Sequence, residues 1–169
     1  RRTAAGSGAD TGWEHDDFGD VTSNCLQSDG GCVIDLDNGW RLQLEEPGEK
    51  VLATALTLTG KTFFTSYLPN SGTGATACAP SEGAGRLYAG SLQDGTAVMN
   101  YDTTDDDPDN PDAPSSKEDR SVELTSLGIP AEVVSVPPNK ILRPDLQIDN
   151  VDATTRWRTY WHLEEDSDL

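Results

Sequence analysis

Short β-prone runs, one of which alternates apolar and polar residues with a period of two, recur along the central part of the chain and indicate β-strands. The alternation is clear in residues 40–44, which follow an Asp-Asn-Gly sequence that favours a hairpin turn after a short strand at 33–36. Four further strands are predicted at 50–58, 61–68, 86–92 and 96–101. Because short reversals join most of these four strands, they predict an antiparallel meander that resembles one blade of a β-propeller.

The second half of the chain predicts more strands around an acidic insertion. Residues 102–120 form this insertion, which we call the acidic excursion, and its prolines and clustered carboxylates predict a hydrated surface loop outside the sheet. Strand patterns resume at 121–124 and 128–136, continue in an edge-like piece at 141–145, and end at 155–163. The predicted organisation is a flexible or inter-strand arm at 1–24, a propeller-like region at 25–163 and a charged tail at 164–169.

Composition narrows the class of protein. Asp and Glu number 30 against 12 Lys and Arg, so the formal net charge of the 169 residues is −18. A nucleic-acid partner is not expected, since phosphates require a basic face. A transmembrane segment is not expected either, because no apolar run is long enough to span a bilayer. The low apolar fraction of 34% with 16 Gly and 10 Pro predicts a loop-rich, all-β protein.

The candidate chemistry is limited to a cation site. His15 and His162 have no Ser or Cys nucleophile signature beside them, so we expect no enzymatic activity. Asp105, Asp107, Asp109 and Asn110 supply hard oxygen ligands at close spacing, as Ca²⁺ loops do, although the usual central Gly and terminal Glu are missing. A Ca²⁺ site and a solvated acidic loop are the two interpretations of this cluster.

The chain contains three cysteines, which are candidates for disulfide bonds. Cys25 and Cys32 flank a short Gly-containing loop, and a disulfide between them is the first prediction. Cys78 lies in another Gly-rich loop, so a Cys32–Cys78 pairing is the alternative, and three unlinked thiols is the third possibility. No CxxC pair occurs, which argues against a zinc site.

Several short motifs occur in an order that resembles a known family, the PilY-type tip proteins of type IV pili, over residues 21–163. The similar motifs are Gly39-Trp40, Gly48-Glu49-Lys50-Val51, Phe63-Phe64-Thr65, Cys78, Leu87-Tyr88-Ala89, Gly128-Ile129-Pro130-Ala131-Glu132 and Arg158-Thr159-Tyr160-Trp161. In that family these motifs belong to a C-terminal β-propeller. The resemblance implies that the chain is the C-terminal part of a longer protein, with about two blades of strands.

The resemblance also implies a function. It implies a non-enzymatic structural or adhesive module that acts in pilus biogenesis, surface attachment and motility, with minor pilins and host or abiotic surfaces as partners. The location implied is the cell surface or exterior, reached through the periplasm of a Gram-negative bacterium. The family's D-x-D-x-D-G calcium loop is missing from this sequence, so calcium regulation does not carry over. The alternatives are a fragment of a quinoprotein-like propeller enzyme and an acidic, calcium-binding cell-surface module.

Overall fold

The computed structural model describes residues 14–23, 34–69, 82–104, 106, 108–109 and 116–151. Within these ranges the regular structure consists of ten strands and two short 3₁₀ turns, with no α-helix, so the all-β prediction is confirmed. No helix in these ranges is long and apolar enough to cross a membrane. The strands are β1 (Gly19–Asp20), β2 (Trp40–Arg41), β3 (Lys50–Val51), β4 (Leu56–Leu58), β5 (Lys61–Leu68), β6 (Ala84–Ser91), β7 (Ser121–Leu127), β8 (Val134–Val136), β9 (Lys140–Leu142) and β10 (Ile148–Asn150).

The largest sheet is built around β5 and β6, which pair antiparallel along their full length. On the other side of β6 lies β7, also antiparallel, with an irregularity in register between Ala84 and Arg86. Both β3 and β4 pair with the far edge of β5, so together they form one interrupted edge strand. The result is an antiparallel meander within one sheet, in the order interrupted edge strand, β5, β6 and β7.

The core lies on one face of this sheet because alternate residues of β5 and β6 are apolar. Phe63 pairs with Ala89, and Leu87 lies on the same face, and all three are buried. The three-stranded antiparallel sheet, in the order β10-β9-β8, contributes Ile141, which is also fully buried. This close packing of the two sheets excludes water from the apolar side chains, which is the main stabilising contribution in a domain of this size.

The opposite face of the large sheet carries aromatic and polar residues. The rings of Phe64 and Tyr88 stack with centroids 5.0 Å apart and planes 4° from parallel. Trp40 lies beside them, and its indole N–H donates to the backbone oxygen of Leu92 at 3.0 Å. Residues 40–49 therefore cover this face. They bring residues 45–49, which we call the acidic turn, onto the sheet.

The predicted fourth strand of the meander, at 96–101, is wrong. Only Ala97 bridges to the sheet, opposite Gly90. The Asp94 carboxylate accepts hydrogen bonds from both the backbone and the hydroxyl of Thr96, which holds a tight turn instead of a strand. The position beside β6 is occupied by β7, which arrives from beyond the acidic excursion.

The predicted hairpin of 33–36 with 40–44 is also wrong over the residues that the structure describes. The turn itself forms, since Gly39 has a φ of 104° and donates to the Leu36 oxygen at 2.9 Å. However, residues 34–36 form no strand, and β2 pairs in parallel with β1. Gly19 donates to the Gly39 oxygen at 3.1 Å, so the N-terminal segment takes the position that the hairpin partner would have had.

Two later predictions need correction as well. The strand predicted over 128–136 is confined to β8, because Gly128, with a φ of 85°, ends β7 in a bend. The piece at 141–145 was expected at an edge, yet β9 is the central strand of its sheet, and Pro144 lies in the turn that follows it. The described strands form three separate sheets and no closed propeller. The predicted strand at 155–163 lies outside the described residues.

Candidate functional site

The candidate site is an open cleft of about 300 Å³ beside β6 and β7. We call it the acidic cleft, and it is lined by Glu45, Arg86, Tyr101, Asp102, Glu118, Ser121, Val122 and Glu123. The lining contains four carboxylates and one guanidinium. Its electrostatic potential is therefore negative, which suits a cationic ligand or the basic surface of a partner.

Arg86 and Glu45 form the ion pair on one wall of the cleft. The guanidinium of Arg86, on β6, contacts the Glu45 carboxylate, and Ser121 donates to the same carboxylate at 3.3 Å. Burial acts to lower the pKa of Arg86, but the charges of Glu45, Tyr88 and Glu49 outweigh burial, so the net shift is upward. The pair anchors the acidic turn to the sheet.

Glu49 provides a second anchor for the same turn. Its Oε1 accepts hydrogen bonds from Ser66 and, at 3.0 Å, from the Tyr88 hydroxyl, while its Oε2 accepts from the Glu46 backbone at 3.2 Å. Burial, and then the charge of Glu49, raise the pKa of Tyr88 well above its usual value. The Tyr88 phenol donates to Glu49, and both carboxylate oxygens of Glu49 are used in holding the turn.

Asp119 closes the base of the acidic excursion. Its side chain is fully buried and accepts hydrogen bonds from the backbone N–H groups of Asp102 and Ser116, each at 3.0 Å. These two residues lie near opposite ends of the excursion, so a single carboxylate ties the ends together. This clamp fixes Asp102 and Glu118 at the rim of the cleft.

Arg120 connects the same region to the N-terminal segment. Its guanidinium is buried and donates to the backbone oxygens of Val21 and Thr22, both at 2.6 Å, and to that of Gly95 at 3.3 Å. Burial lowers the pKa of Arg120, although the charges of Glu45 and Glu118 oppose that shift. Backbone carbonyls thus replace water around a buried cation.

A buried polar network supports the far wall of the cleft. Tyr101 lines the cleft and donates to Asp149 at 3.0 Å, and Arg143 bonds to Asp145 at 2.9 Å. The guanidinium of Arg143 also lies over the Tyr101 ring, 5.9 Å from its centre. Burial, and then the charge of Asp149, raise the pKa of Tyr101. The network joins the three-stranded sheet to the cleft.

The residues predicted to bind Ca²⁺ are only partly described. Asp109 is exposed in a turn, whereas Asp105, Asp107 and Asn110 lie outside the described residues. Their neighbour Asp106 accepts a hydrogen bond from the Asn100 side chain at 2.6 Å. The described part of the chain contains no group of three or more His, Cys, Asp or Glu residues arranged to hold a metal ion. Cys25, Cys32 and Cys78, and hence both disulfide predictions, also lie outside the described residues.

Sequence reasoning missed the residues that build the cleft. Glu45 and Glu49 lie between the strands predicted at 40–44 and 50–58, and Asp119 and Arg120 lie in the acidic excursion, which is predicted to be a surface loop. The sequence does contain a signal for Asp119 and Arg120, which form a charged pair directly before a strand. At such a position the backbone N–H and C=O groups of the loop need hydrogen-bond partners, and charged side chains can supply them. For Glu45, nothing local indicated that its partner would be Arg86, 41 residues away.

The polar groups around the cleft hold loops on the large sheet. No family model, curated protein or solved structure matches this chain.

Proposed function

We propose that this chain is a non-enzymatic structural or adhesive module of a type IV pilus tip protein. The observation that carries the proposal is that motifs far apart in the sequence meet on one face of the large sheet. Trp40, Glu49, Phe64 and Tyr88 come from four of the motifs that resemble the PilY-type family. A shared set of contacts explains why these residues occur together in one chain.

The contacts among these residues are direct. Phe64 and Tyr88 stack on each other, and the Tyr88 hydroxyl donates to Glu49 at 3.0 Å. Trp40 lies in the same small pocket as both rings. These contacts support the interpretation of the motifs as one structural unit, because each motif supplies a side chain that the others pack against.

The strand order supports the finer proposal that the large sheet is one blade of a propeller completed elsewhere in a longer chain. A blade is a four-stranded antiparallel meander, and the interrupted edge strand, β5, β6 and β7 form such a meander. The acidic excursion is then a loop between the last two strands of the blade. Loops on a rigid scaffold commonly carry binding contacts.

The acidic cleft is the proposed contact surface of the module. Its four carboxylates favour a basic surface on the partner, and electrostatic complementarity of this kind increases association rate and specificity. Minor pilins are the proposed protein partners, and host or abiotic surfaces are the proposed targets of attachment. The proposed location is the cell surface.

A pull-down with the minor pilins of the same organism tests the proposal. We expect saturable capture of at least one minor pilin by the purified chain, and no capture of pilins by an unrelated acidic protein of similar net charge. A visible absorption spectrum of the same preparation, with a dye-linked dehydrogenase assay, addresses the enzyme alternative. A bound quinone with turnover, and no pilin capture, would contradict the proposal.

A further inference from the structure

An Asn-Gly pair lies in the turn formed by residues 36–39. The Asn38 residue is exposed, and the Gly39 N–H donates to the Leu36 oxygen at 2.9 Å. Because glycine has no Cβ, its backbone nitrogen can approach the side-chain carbonyl of the preceding residue closely. This approach is the steric requirement for deamidation, in which an asparagine loses its side-chain amide nitrogen.

The same two residues hold the N-terminal segment. The Asn38 Nδ2 donates to the Asp17 backbone oxygen at 3.1 Å, and the Gly39 oxygen accepts from the Gly19 N–H at 3.1 Å. Phe18, between them in sequence, packs its ring near Gly39, since a Cβ added to Gly39 would lie 3.6 Å from a ring carbon. A chemical change in the Asn-Gly pair therefore acts directly on the docking of residues 17–19.

The rest of the N-terminal segment is held by contacts that do not involve Asn38. Val21 is fully buried, and its N–H donates to the Arg41 oxygen at 3.0 Å. The Val21 oxygen accepts from the Arg120 guanidinium at 2.6 Å. Loss of the Asn38 contacts should therefore loosen the start of the segment and leave Val21 in place.

We propose that Asn38 is a site of spontaneous deamidation and that the conversion releases residues 17–19 from the turn. The Gly39 backbone nitrogen gives its proton to solvent and attacks the Asn38 side-chain carbonyl carbon. The new C–N bond forms, the bond to Nδ2 breaks, and Nδ2 leaves as ammonia after taking a proton from water. Water then opens the cyclic imide at either carbonyl, which gives aspartate or isoaspartate at position 38. The inference is independent of the proposed pilus function.

The fold controls the rate of the first step. The Gly39 N–H is bonded to the Leu36 oxygen and the Asn38 amide to the Asp17 oxygen, so the attack requires local opening of the turn. Local opening of exposed turns costs little free energy compared with global unfolding. Conversion should therefore proceed in the native protein, but more slowly than in the unfolded chain.

Both products remove the donor that binds Asp17. An ionised carboxylate accepts hydrogen bonds and donates none, so its oxygen would face the Asp17 backbone oxygen. The new negative charge also follows Asp35 and Asp37 closely in the sequence, and like charges repel. Isoaspartate in addition lengthens the main chain by one methylene group, which moves the Gly39 oxygen relative to the Gly19 N–H.

Peptide mapping of the aged, full chain tests the modification. Samples kept folded or in urea are digested, and the asparagine, aspartate and isoaspartate forms of each peptide are separated. We expect conversion at Asn38 to exceed conversion at Asn150 by about tenfold or more in both states, because the β-branched Val151 hinders the attack at Asn150. Asn150 is the matched control because it is also exposed. Equal conversion at the two asparagines would contradict the proposed site.

Amide hydrogen exchange, measured by NMR, tests the release. We expect the Gly19 amide to exchange about tenfold faster or more in Asn38→Asp than in the wild type, while the Phe63 amide stays protected. The matched control is Gln147→Glu, which makes the same change from amide to carboxylate at another exposed residue. This control should leave the exchange of Gly19 unchanged.

The aged wild-type protein provides a second test that does not depend on the folding of the variant. Its converted fraction carries one more negative charge and separates from the unconverted fraction by anion exchange. The Gly19 amide should exchange faster in the converted fraction. Equal exchange of Gly19 in the two fractions would overturn the release, and faster exchange of Phe63 in the converted fraction would contradict a local effect.

Discussion

Replacing Arg120 by Ala should destabilise the fold more than any other single change to a charged residue around the acidic cleft. The guanidinium lies in a buried position and donates to the backbone oxygens of Val21, Thr22 and Gly95. Its Nε also donates to the Lys117 oxygen at 3.4 Å, within the same 3₁₀ turn. The guanidinium thereby connects the N-terminal segment, the turn after β6 and the base of the acidic excursion. Alanine leaves these oxygens without their donor and opens a space where the side chain was.

The magnitude follows from the geometry of the bonds that reach other segments of the chain. The bonds to Val21 and Thr22, both at 2.6 Å, are short and charge-assisted, while the bond to Gly95, at 3.3 Å, is weak. A buried acceptor left without a donor costs about 1–3 kcal/mol. Water that enters the vacated space restores part of this loss. We therefore expect the free energy of unfolding to fall by about 3 kcal/mol, mainly from two orphaned carbonyls.

Urea unfolding followed by tryptophan fluorescence measures this loss. The matched control is Lys117→Ala, three residues earlier, where the side chain is 48% exposed and pairs with Glu118 at 3.5 Å. An exposed pair of this kind contributes less than about 1 kcal/mol. If Arg120→Ala and Lys117→Ala lower the free energy of unfolding equally, Arg120 does not hold these segments together, and the reasoning is wrong.

Three further predictions concern other parts of the molecule. Burial and neighbouring carboxylates raise the pKa values of Tyr88 and Tyr101, so the folded state keeps these protons after the unfolded state has lost them. The free energy of unfolding should therefore decrease as pH rises above the ordinary tyrosine pKa of about 10. Thermal melts of Tyr88→Phe and Tyr101→Phe should show a smaller decrease in melting temperature over the same alkaline range than the wild type does. Gly95→Ala should lower the free energy of unfolding by about 1–3 kcal/mol, because φ is 67° and the new Cβ would lie 2.8 Å from a buried valine methyl. Gly48→Ala, with a φ of 87° but nothing within 4 Å, should cost only about 1 kcal/mol, and equal losses in urea titrations would refute the steric argument. Limited proteolysis should cut first within residues 102–119 and leave a nicked protein that elutes as one particle. Slower cleavage in millimolar Ca²⁺ would support the calcium hypothesis. First cuts within the strands would contradict the prediction that these residues form a surface loop.

The central hairpin could be predicted from sequence because its signals are local. Residues 61–68 are rich in aromatic and β-branched side chains, and β5 has those bounds. Thr59 and Gly60, with φ values of 52° and 79°, form the predicted tight reversal before it. The predicted start of β6 is two residues late, because Ala84 and Gly85 are small residues with low strand propensity.

The partner of β6 could not be predicted because its choice depends on distant contacts. Residues 96–101 follow a turn and carry a short apolar run, as a strand often does. However, the Asp94 carboxylate accepts hydrogen bonds from Thr96 and holds a tight turn there instead. The strand that does pair, β7, begins after the whole acidic excursion, and the Asp119 clamp brings it back. Periodicity gives the faces of a strand and does not give its neighbour.

The same distinction applies to the acidic cleft. The excess of carboxylates was evident from composition, and it correctly indicates a negative surface. The cleft depends on which charges meet, and that depends on the fold: Glu45 reaches Arg86 only because residues 40–49 cross the aromatic face of the sheet. The number of charged residues follows from the sequence, whereas the pairs that they form depend on the folded sheet.

The affinity of the chain for a captured minor pilin is the measurement that tests the proposed function most directly. The informative variant reverses two exposed charges of the cleft, Glu118→Lys with Glu123→Lys, and the control is Glu132→Lys, an exposed carboxylate that does not line the cleft. Our account predicts that the double variant weakens binding by about tenfold or more, mainly by slower association and most strongly at low salt, while the control binds nearly as the wild type does. Binding that is equally strong in the wild type and the double variant, or no pilin binding by the wild type, would contradict the account.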